Sequence, residues 1–303
     1  MSLLTPMLRT SPLTDWFSDV QRVQGMLDFE AALVRAEVEC GLVPQTALNP
    51  IIESCRHEKI DFSALGQAAA SAGNLAIPLV KQLTARVKER NEAAARYVHW
   101  GATSQDAIDT GFILQLRGAL AETESLLQRL LDALARQAER HQDTVMPGRT
   151  WMQHALPVTF GLKLAGTLDA LLRWQVRLRE MRARVLALQF GGAAGTLDSL
   201  KTQAPPIAAA LAKALDLQLP DAPWHSQRDR LLEVGAWYAG VCGTLGKFAN
   251  DFSLLMQTEV AEVGEPVAEG RGGSTNKAPK RNRKACPTNL TAGQRKTDHV
   301  VTV

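Results

Sequence analysis

Three stretches of this 303-residue chain keep apolar residues on helical spacing for some thirty residues or more, and that length limits the folds open to it. The first runs from Ile108 to about His141, with Ile113, Leu116, Leu120, Leu127, Leu130, Leu131 and Leu134 in step. The second runs from Leu156 to about Phe190. Its one proline, Pro157, sits where a helix start tolerates it, and Gly191-Gly192 are expected to end it. The third, Ser226 to Val263, is stopped by Gly264 and Pro266. At 1.5 Å per residue such helices are about 50 Å long, far beyond the average globular helix of about 10–14 residues. Helices of that length bury their faces in a coiled coil or a large bundle. Gly161, Ala165, Gly166, Gly235, Ala239, Gly240, Gly243 and Gly246 are expected to let neighbouring helices approach closely.

The remainder reads as supporting structure. Residues 1–20 are expected to be irregular, Val20–Cys40 an amphipathic helix ending at Gly41, Pro44–Gly73 shorter helices, and Asn74–Lys88 another helix. After Glu269 helical periodicity stops and turn formers and bases take over, which reads as a loop and a poorly ordered tail. The expected organisation is an N-terminal helical domain over 1–107, a central long-helix bundle over 108–268, and a divergent basic loop and tail over 269–303.

Charge and cysteine usage exclude several classes. Residues 270–303 carry eight of the 34 bases and one of the 31 acids, so the rest of the chain is mildly acidic. A nucleic-acid binder more often carries its basic face through the fold, so none is expected as a partner. Cys40, Cys55, Cys242 and Cys286 are far apart, which argues against a disulfide framework or a zinc site and suits a reducing cytoplasm. The N-terminus has no signal-peptide pattern, and acids and bases interrupt every long apolar run, so no membrane span is expected. No P-loop, HExxH or G-x-S-x-G motif is present; Gly246-Lys247-Phe248 lacks the phosphate-loop spacing, and Gly191–Gly195 reads as a helix-ending turn.

Chemistry-bearing residues gather in three segments, each beside one end of a long helix. Tyr97-Val98-His99-Trp100-Gly101-Ala102-Thr103-Ser104-Gln105-Asp106 precedes the first, and a helix start with hydroxyl donors suits a carboxylate. The same residues also read as a plain N-cap, with Ser104 or Asp106 capping the helix. Gly148-Arg149-Thr150-Trp151-Met152-Gln153-His154-Ala155 precedes the second and offers His154 as an acid or base; equally, the imidazole could be satisfied by a backbone carbonyl. Gly270–Asn282 follows the third, a Gly-rich loop with Ser274 and several cations that could close over an anion or be a basic surface loop. Taken singly, each segment has an explanation without catalysis.

Together they resemble the fumarase/aspartase superfamily, in which three signature segments from three subunits of a tetramer meet at each active site. HWGATSQD and GRTWMQHA match the first two signatures, and LQFGGAAGTL, WHSQRDRL and LGKFANDFSLLMQTEV point to the cycloisomerase branch. The resemblance covers about residues 15–273. The third signature, G-S-S-x-M-P-x-K-x-N, is altered: Gly273, Ser274, Lys280 and Asn282 keep their places, but Thr275, Lys277 and Ala278 replace Ser, Met and Pro. Members of this type run well past this length, so the chain reads as shortened and altered at its C-terminal end, with a frameshift after Glu269 as one explanation.

The resemblance implies an all-α, long-helix bundle of the fumarase/aspartase type, incomplete at the C-terminus. It implies a cytoplasmic homotetramer with shared active sites, a small polycarboxylate substrate, and no metal or cofactor. The implied reaction closes a lactone by adding a substrate carboxylate to the substrate's own double bond, in aromatic-acid degradation. Ser274 would transfer the proton, Lys280 and Asn282 would bind the carboxylate that takes up charge, and His154 would orient the reacting carboxylate. Thr103 and Ser104 would hold a second carboxylate with Arg149 nearby, while His99, Gln153, Gln227 and Arg228 would add substrate contacts. The alternatives are a related lyase such as adenylosuccinate lyase, a cycloisomerase taking a sulfonated substrate, and a helical protein that has lost catalysis.

Overall fold

The structure, a computed structural model, describes residues 11–264. Its helices in chain order are α1 (Leu13–Trp16), α2 (Asp19–Glu39), α3 (Gln45–Ile52), α4 (Phe62–Ala72), α5 (Ala76–Arg90), α6 (Glu92–Ala95), α7 (Ser104–Arg140), α8 (Phe160–Val185), α9 (Ala204–Leu215) and α10 (Asp229–Leu255). Two strands, β1 (Val145–Thr150) and β2 (Gln153–Thr159), stand between α7 and α8. The three long helices are therefore α7, α8 and α10, with 37, 26 and 27 residues.

Two expectations change here. The second long helix starts at Phe160, because Gln153–Thr159 pairs antiparallel with Val145–Thr150 instead of winding into the helix. Pro157 is no helix start: it lies opposite Pro147 in the hairpin. In a two-stranded ribbon each strand has an outer edge, so a proline's missing donor need not break a ladder bond. The helix also stops at Val185, six residues before the glycine pair. The chain leaves the helical pattern there to make a short parallel bridge between Ala187 and Gln218, the Leu188 N–H donating to Gln218 O and the Gln218 N–H to Leu186 O, both at 2.9 Å.

Contacts divide the chain into two compact units, each discontinuous in sequence and unlike the expected split at 107/108. One comprises residues up to Gln128 together with Gln175–Ala236; the other comprises Arg129–Trp174 and the described residues from Trp237 onward. In the first unit α2 is buried almost all round. Leu27, Phe29 and Leu33 are fully enclosed, as are Ile51, Leu79, Leu83, Ile113 and Leu120 from its neighbours. Backbones touch where α2 crosses α7: a Cβ added to Gly25 would lie 2.6 Å from the Gly111 carbonyl oxygen. In the second unit the core is aromatic. Phe160 meets His141 edge-on at 5.3 Å and Phe252 at 6.1 Å, and Trp174 packs against Trp237 at 6.5 Å with its indole N–H donated to Thr244 Oγ1.

The close-approach reading of the small residues holds only in part. Gly161 faces the Ala138 carbonyl and Gly240 lies under Trp174, but Gly166, Gly235, Gly243 and Gly246 have nothing within 4 Å of an added Cβ.

Candidate active site

In the first unit, the segment before α7 is built around the carboxylate of Asp106. One oxygen, Oδ2, accepts from Thr103 N–H at 3.0 Å and Gly192 N–H at 2.9 Å; the other accepts from Gly191 N–H and Gln189 Nε2, both at 3.0 Å. The Thr103 bond is the return half of a capping box, with the third helical residue satisfying the cap's own N–H. The other bonds make Gly191-Gly192 a donor pair for Asp106, where a helix-ending turn was expected. Gln189 carries the network on, accepting from Trp224 N–H at 2.6 Å. Thr103 and Ser104 are thus set, half-buried, at a helix start whose geometry is fixed from behind. Their neighbour His99 has left-handed backbone (φ 59°), as does Gly101 (φ 70°). Its Nδ1 lies 2.5 Å from Oε1 of Glu30, a buried acid on α2. Burial works against charge on His99, but the Glu30 and Asp106 carboxylates outweigh it and raise its pKa above the ordinary value.

Gln227 and Arg228 precede α10 and do not begin it. The Arg228 guanidinium is held by both oxygens of buried Asp109, at 2.6 and 2.9 Å, and stacks on Trp224 with 5.3 Å to the ring centroid. Its bidentate partner neutralises much of the field it could offer a substrate. Gln227 is exposed.

In the second unit, Arg149, Gln153 and His154 share the hairpin. Its turn is Trp151-Met152, both left-handed at φ 51° and 59°, which suits the tightest hairpin loops. That register places Arg149 opposite His154 and Thr150 opposite Gln153. Arg149 also donates to both carboxylate oxygens of Glu262, at 2.8 and 2.6 Å. A cavity of about 700 Å³ is lined by Arg149, His154, Lys163, Asp251, Met146 and Leu255, among others. Lys163 and Asp251 of its wall pair at 3.0 Å, and Asp251 also pairs with the more exposed Lys247 at 2.6 Å. Burial opposes charge on Asp251, yet the two ammonium groups prevail and hold its carboxyl below the usual range. The hairpin's outer side is bare: Trp151, Met152 and Leu156 are 95%, 81% and 81% exposed.

The arrangement offers hydroxyls and an imidazole at a fixed helix start in one unit, and an imidazole with cations around a cavity in the other. Those are groups for binding carboxylates and moving protons. Ser274, Lys280 and Asn282 lie outside the described residues. Glu30 and Gln189 were not foreseen as partners of the site. Glu30 had a faint signal: it and Glu37 stand seven residues apart on the otherwise apolar face of an amphipathic helix.

A family model described as a lyase matches residues 8–297. The chain belongs to this lyase family, the fumarase/aspartase superfamily. The match in this chain reaches past residue 273, further than the signature segments alone indicated. The chain is 60% identical over 272 residues to 3-carboxy-cis,cis-muconate cycloisomerase of Pseudomonas aeruginosa, covering 90% of this chain and 59% of that protein. The enzyme of the same name from Pseudomonas putida is 54% identical over 274 residues, covering 90% and 65%. The crystal structure of 3-carboxy-cis,cis-muconate lactonizing enzyme from Pseudomonas putida superposes with a TM-score of 0.86 at 54% identity, over 88% of this chain and 61% of that one. The chain thus spans roughly three-fifths of the length of the relatives it matches. Among the described residues no helix is long and apolar enough to cross a membrane.

Proposed function

We propose that this family member carries the substrate-binding and catalytic groups of a 3-carboxy-cis,cis-muconate cycloisomerase. The observation that carries the reading is 60% identity spread over nine-tenths of the chain to an enzyme of that name. In the reaction a substrate carboxylate oxygen bonds to one carbon of the substrate's own double bond. The π bond breaks, and a proton goes to the other carbon, which lies α to a second carboxylate. Between these events that carboxylate bears extra negative charge, and fixed donors aimed at it lower the barrier. Thr103, Ser104 and His99 hold one carboxylate at the start of α7. His154 orients the attacking carboxylate, with Arg149 and Gln153 beside it on the hairpin and Gln227 and Arg228 adding contacts. Ser274 delivers the proton, and Lys280 with Asn282 takes the charged carboxylate. The substrate is a small polycarboxylate, and the site works in the cytoplasm.

We also propose a homotetramer with shared sites. Supporting it, the exposed face of α10 is a row of small residues, Gly235, Ala239, Gly243 and Gly246, with Leu232 71% exposed at its head. The hairpin adds the bare Trp151 and Met152. Purified chain given 3-carboxy-cis,cis-muconate is expected to abolish the ultraviolet absorbance of the conjugated diene. Folded protein that leaves the absorbance unchanged, while it splits adenylosuccinate, shifts the reading to the related lyases.

A further inference from the structure

We infer that Glu30 is a positioning residue for the anion site: it holds the His99 imidazole by Nδ1 as its counter-ion, leaving Nε2–H as the donor offered to a substrate carboxylate. The inference rests on the placement of His99 in the site proposed above.

Three observations lead to it. The Glu30 carboxylate is almost wholly buried, with Oε1 2.5 Å from His99 Nδ1. Its other oxygen is buried without a partner, so His99 is the cation that compensates this charge. A buried carboxylate left with no counter-ion is strongly unfavourable, so the pair stands or falls together. Finally, the backbone of His99 is left-handed, a conformation that a non-glycine residue holds only when its surroundings enforce it.

The rest of the cluster is consistent with one acid and one cation. Glu37, on the same face of α2, has both oxygens buried and unpartnered; burial, and secondarily the Glu30 charge, pushes its carboxyl up to about 9. It is therefore neutral near pH 7 and needs no counter-ion. Burial likewise pushes up the Cys55 thiol, which feels the Glu30 charge and stays neutral. Asp106, on α7, adds a second negative charge near His99, but its oxygens are taken by Thr103, Gln189, Gly191 and Gly192. An imidazole that gives Nδ1–H to a carboxylate can donate to a second carboxylate only through a protonated Nε2. A buried acid behind the ring keeps that proton in place when the ligand is absent.

The test uses the full chain with ring-labelled histidines, following each of the six by nuclear magnetic resonance against pH. His99 is assigned by its loss in His99→Asn. In the unsubstituted chain His99 is expected to titrate above the value of about 6.5 of an ordinary histidine. In Glu30→Gln it should bind its proton at least about tenfold more weakly, and in Glu30→Asp fall between. Propane-1,2,3-tricarboxylate should bind Glu30→Gln at pH 7.5 about tenfold more weakly than the unsubstituted chain, and the gap should narrow as pH falls and the imidazole of the variant also takes up its proton. The inference is overturned by His99 titrating at or below 6.5 in the unsubstituted chain, by an unchanged titration in Glu30→Gln, or by a shifted titration with unchanged tricarboxylate affinity. If Glu30→Gln does not fold, Glu30→Asp and the unsubstituted titration decide. A chain that never binds the tricarboxylate, but whose His99 responds to Glu30, sinks the carboxylate-binding role of His99 and with it this positioning role, and leaves only the ion pair. Failed muconate turnover with intact, Glu30-dependent tricarboxylate binding sinks the reaction assignment alone.

Discussion

Asp106 and Glu37 are both buried carboxylates, and their surroundings treat them oppositely. Asp106 receives four N–H donors, from Thr103, Gln189, Gly191 and Gly192, while Glu37 receives none. Replacing Asp106 with Ala strands those donors in a buried place, which is expected to lower stability by about 2–4 kcal/mol. Urea unfolding at pH 7 measures that loss, and a change under 0.5 kcal/mol would mean the donors find other partners. Glu37 sets a pH dependence. Its folded-state pKa is raised above the unfolded value of 4.5, so between about pH 4.5 and 9 the native state holds a proton that the unfolded state has released. Stability contributed by this group is full at low pH and is lost as pH rises through that window, by at most about 1.4 kcal/mol per pH unit. Glu37→Gln, which mimics the protonated acid, is expected to flatten the fall in urea midpoint between pH 5 and 8. Parallel profiles for the two proteins would contradict the assignment.

At the scale of elements, the crossing of α2 and α7 shows how two small residues fix a bundle. Gly25 and Gly111 let the backbones touch, and an added Cβ at Gly111 would come within 2.8 Å of Met26 N. Alanine favours a helix over glycine by about 1 kcal/mol, yet overpacking a fixed backbone contact costs about 1–3 kcal/mol or more. Gly111→Ala is therefore expected to lower the thermal midpoint by several degrees. The three long helices and the shorter α2 and α5 were legible in the sequence because their apolar periodicity is local. The hairpin was not, because its signal competes with the helix beside it. Val145–Thr159 carries two prolines and four β-branched residues, but the apolar spacing of α8 continues backward into it. Only the pairing of Pro147 with Pro157, and of Arg149 with His154, resolves which pattern governs.

For the whole molecule, the open question that chemistry poses is what covers the bare side of α10. Gly243 is exposed, and a Cβ there would meet nothing within 4 Å. Inside a single chain Gly243→Glu should therefore be neutral or mildly stabilising, since glutamate is the better helix former. Across a tight interface between copies it would bury a charge. The expected outcome by light scattering is four chains per particle for the unsubstituted protein and smaller particles for Gly243→Glu, with helicity unchanged. Four chains in both would remove this face from the interface.

The sequence by itself determined the helical class, the three long helices and the location of two signature segments at their N-terminal ends, because periodicity and contiguous motifs are properties of neighbouring residues. It also marked His99, Thr103, Ser104, Arg149, Gln153, His154, Gln227 and Arg228 as candidates, and the family to which they belong. Only the tertiary structure decided which charges are already spoken for: Arg228 by Asp109, Arg149 by Glu262, His99 by Glu30. Those partners lie between 69 and 119 residues away along the chain, and no local pattern encodes a contact made by packing distant helices together.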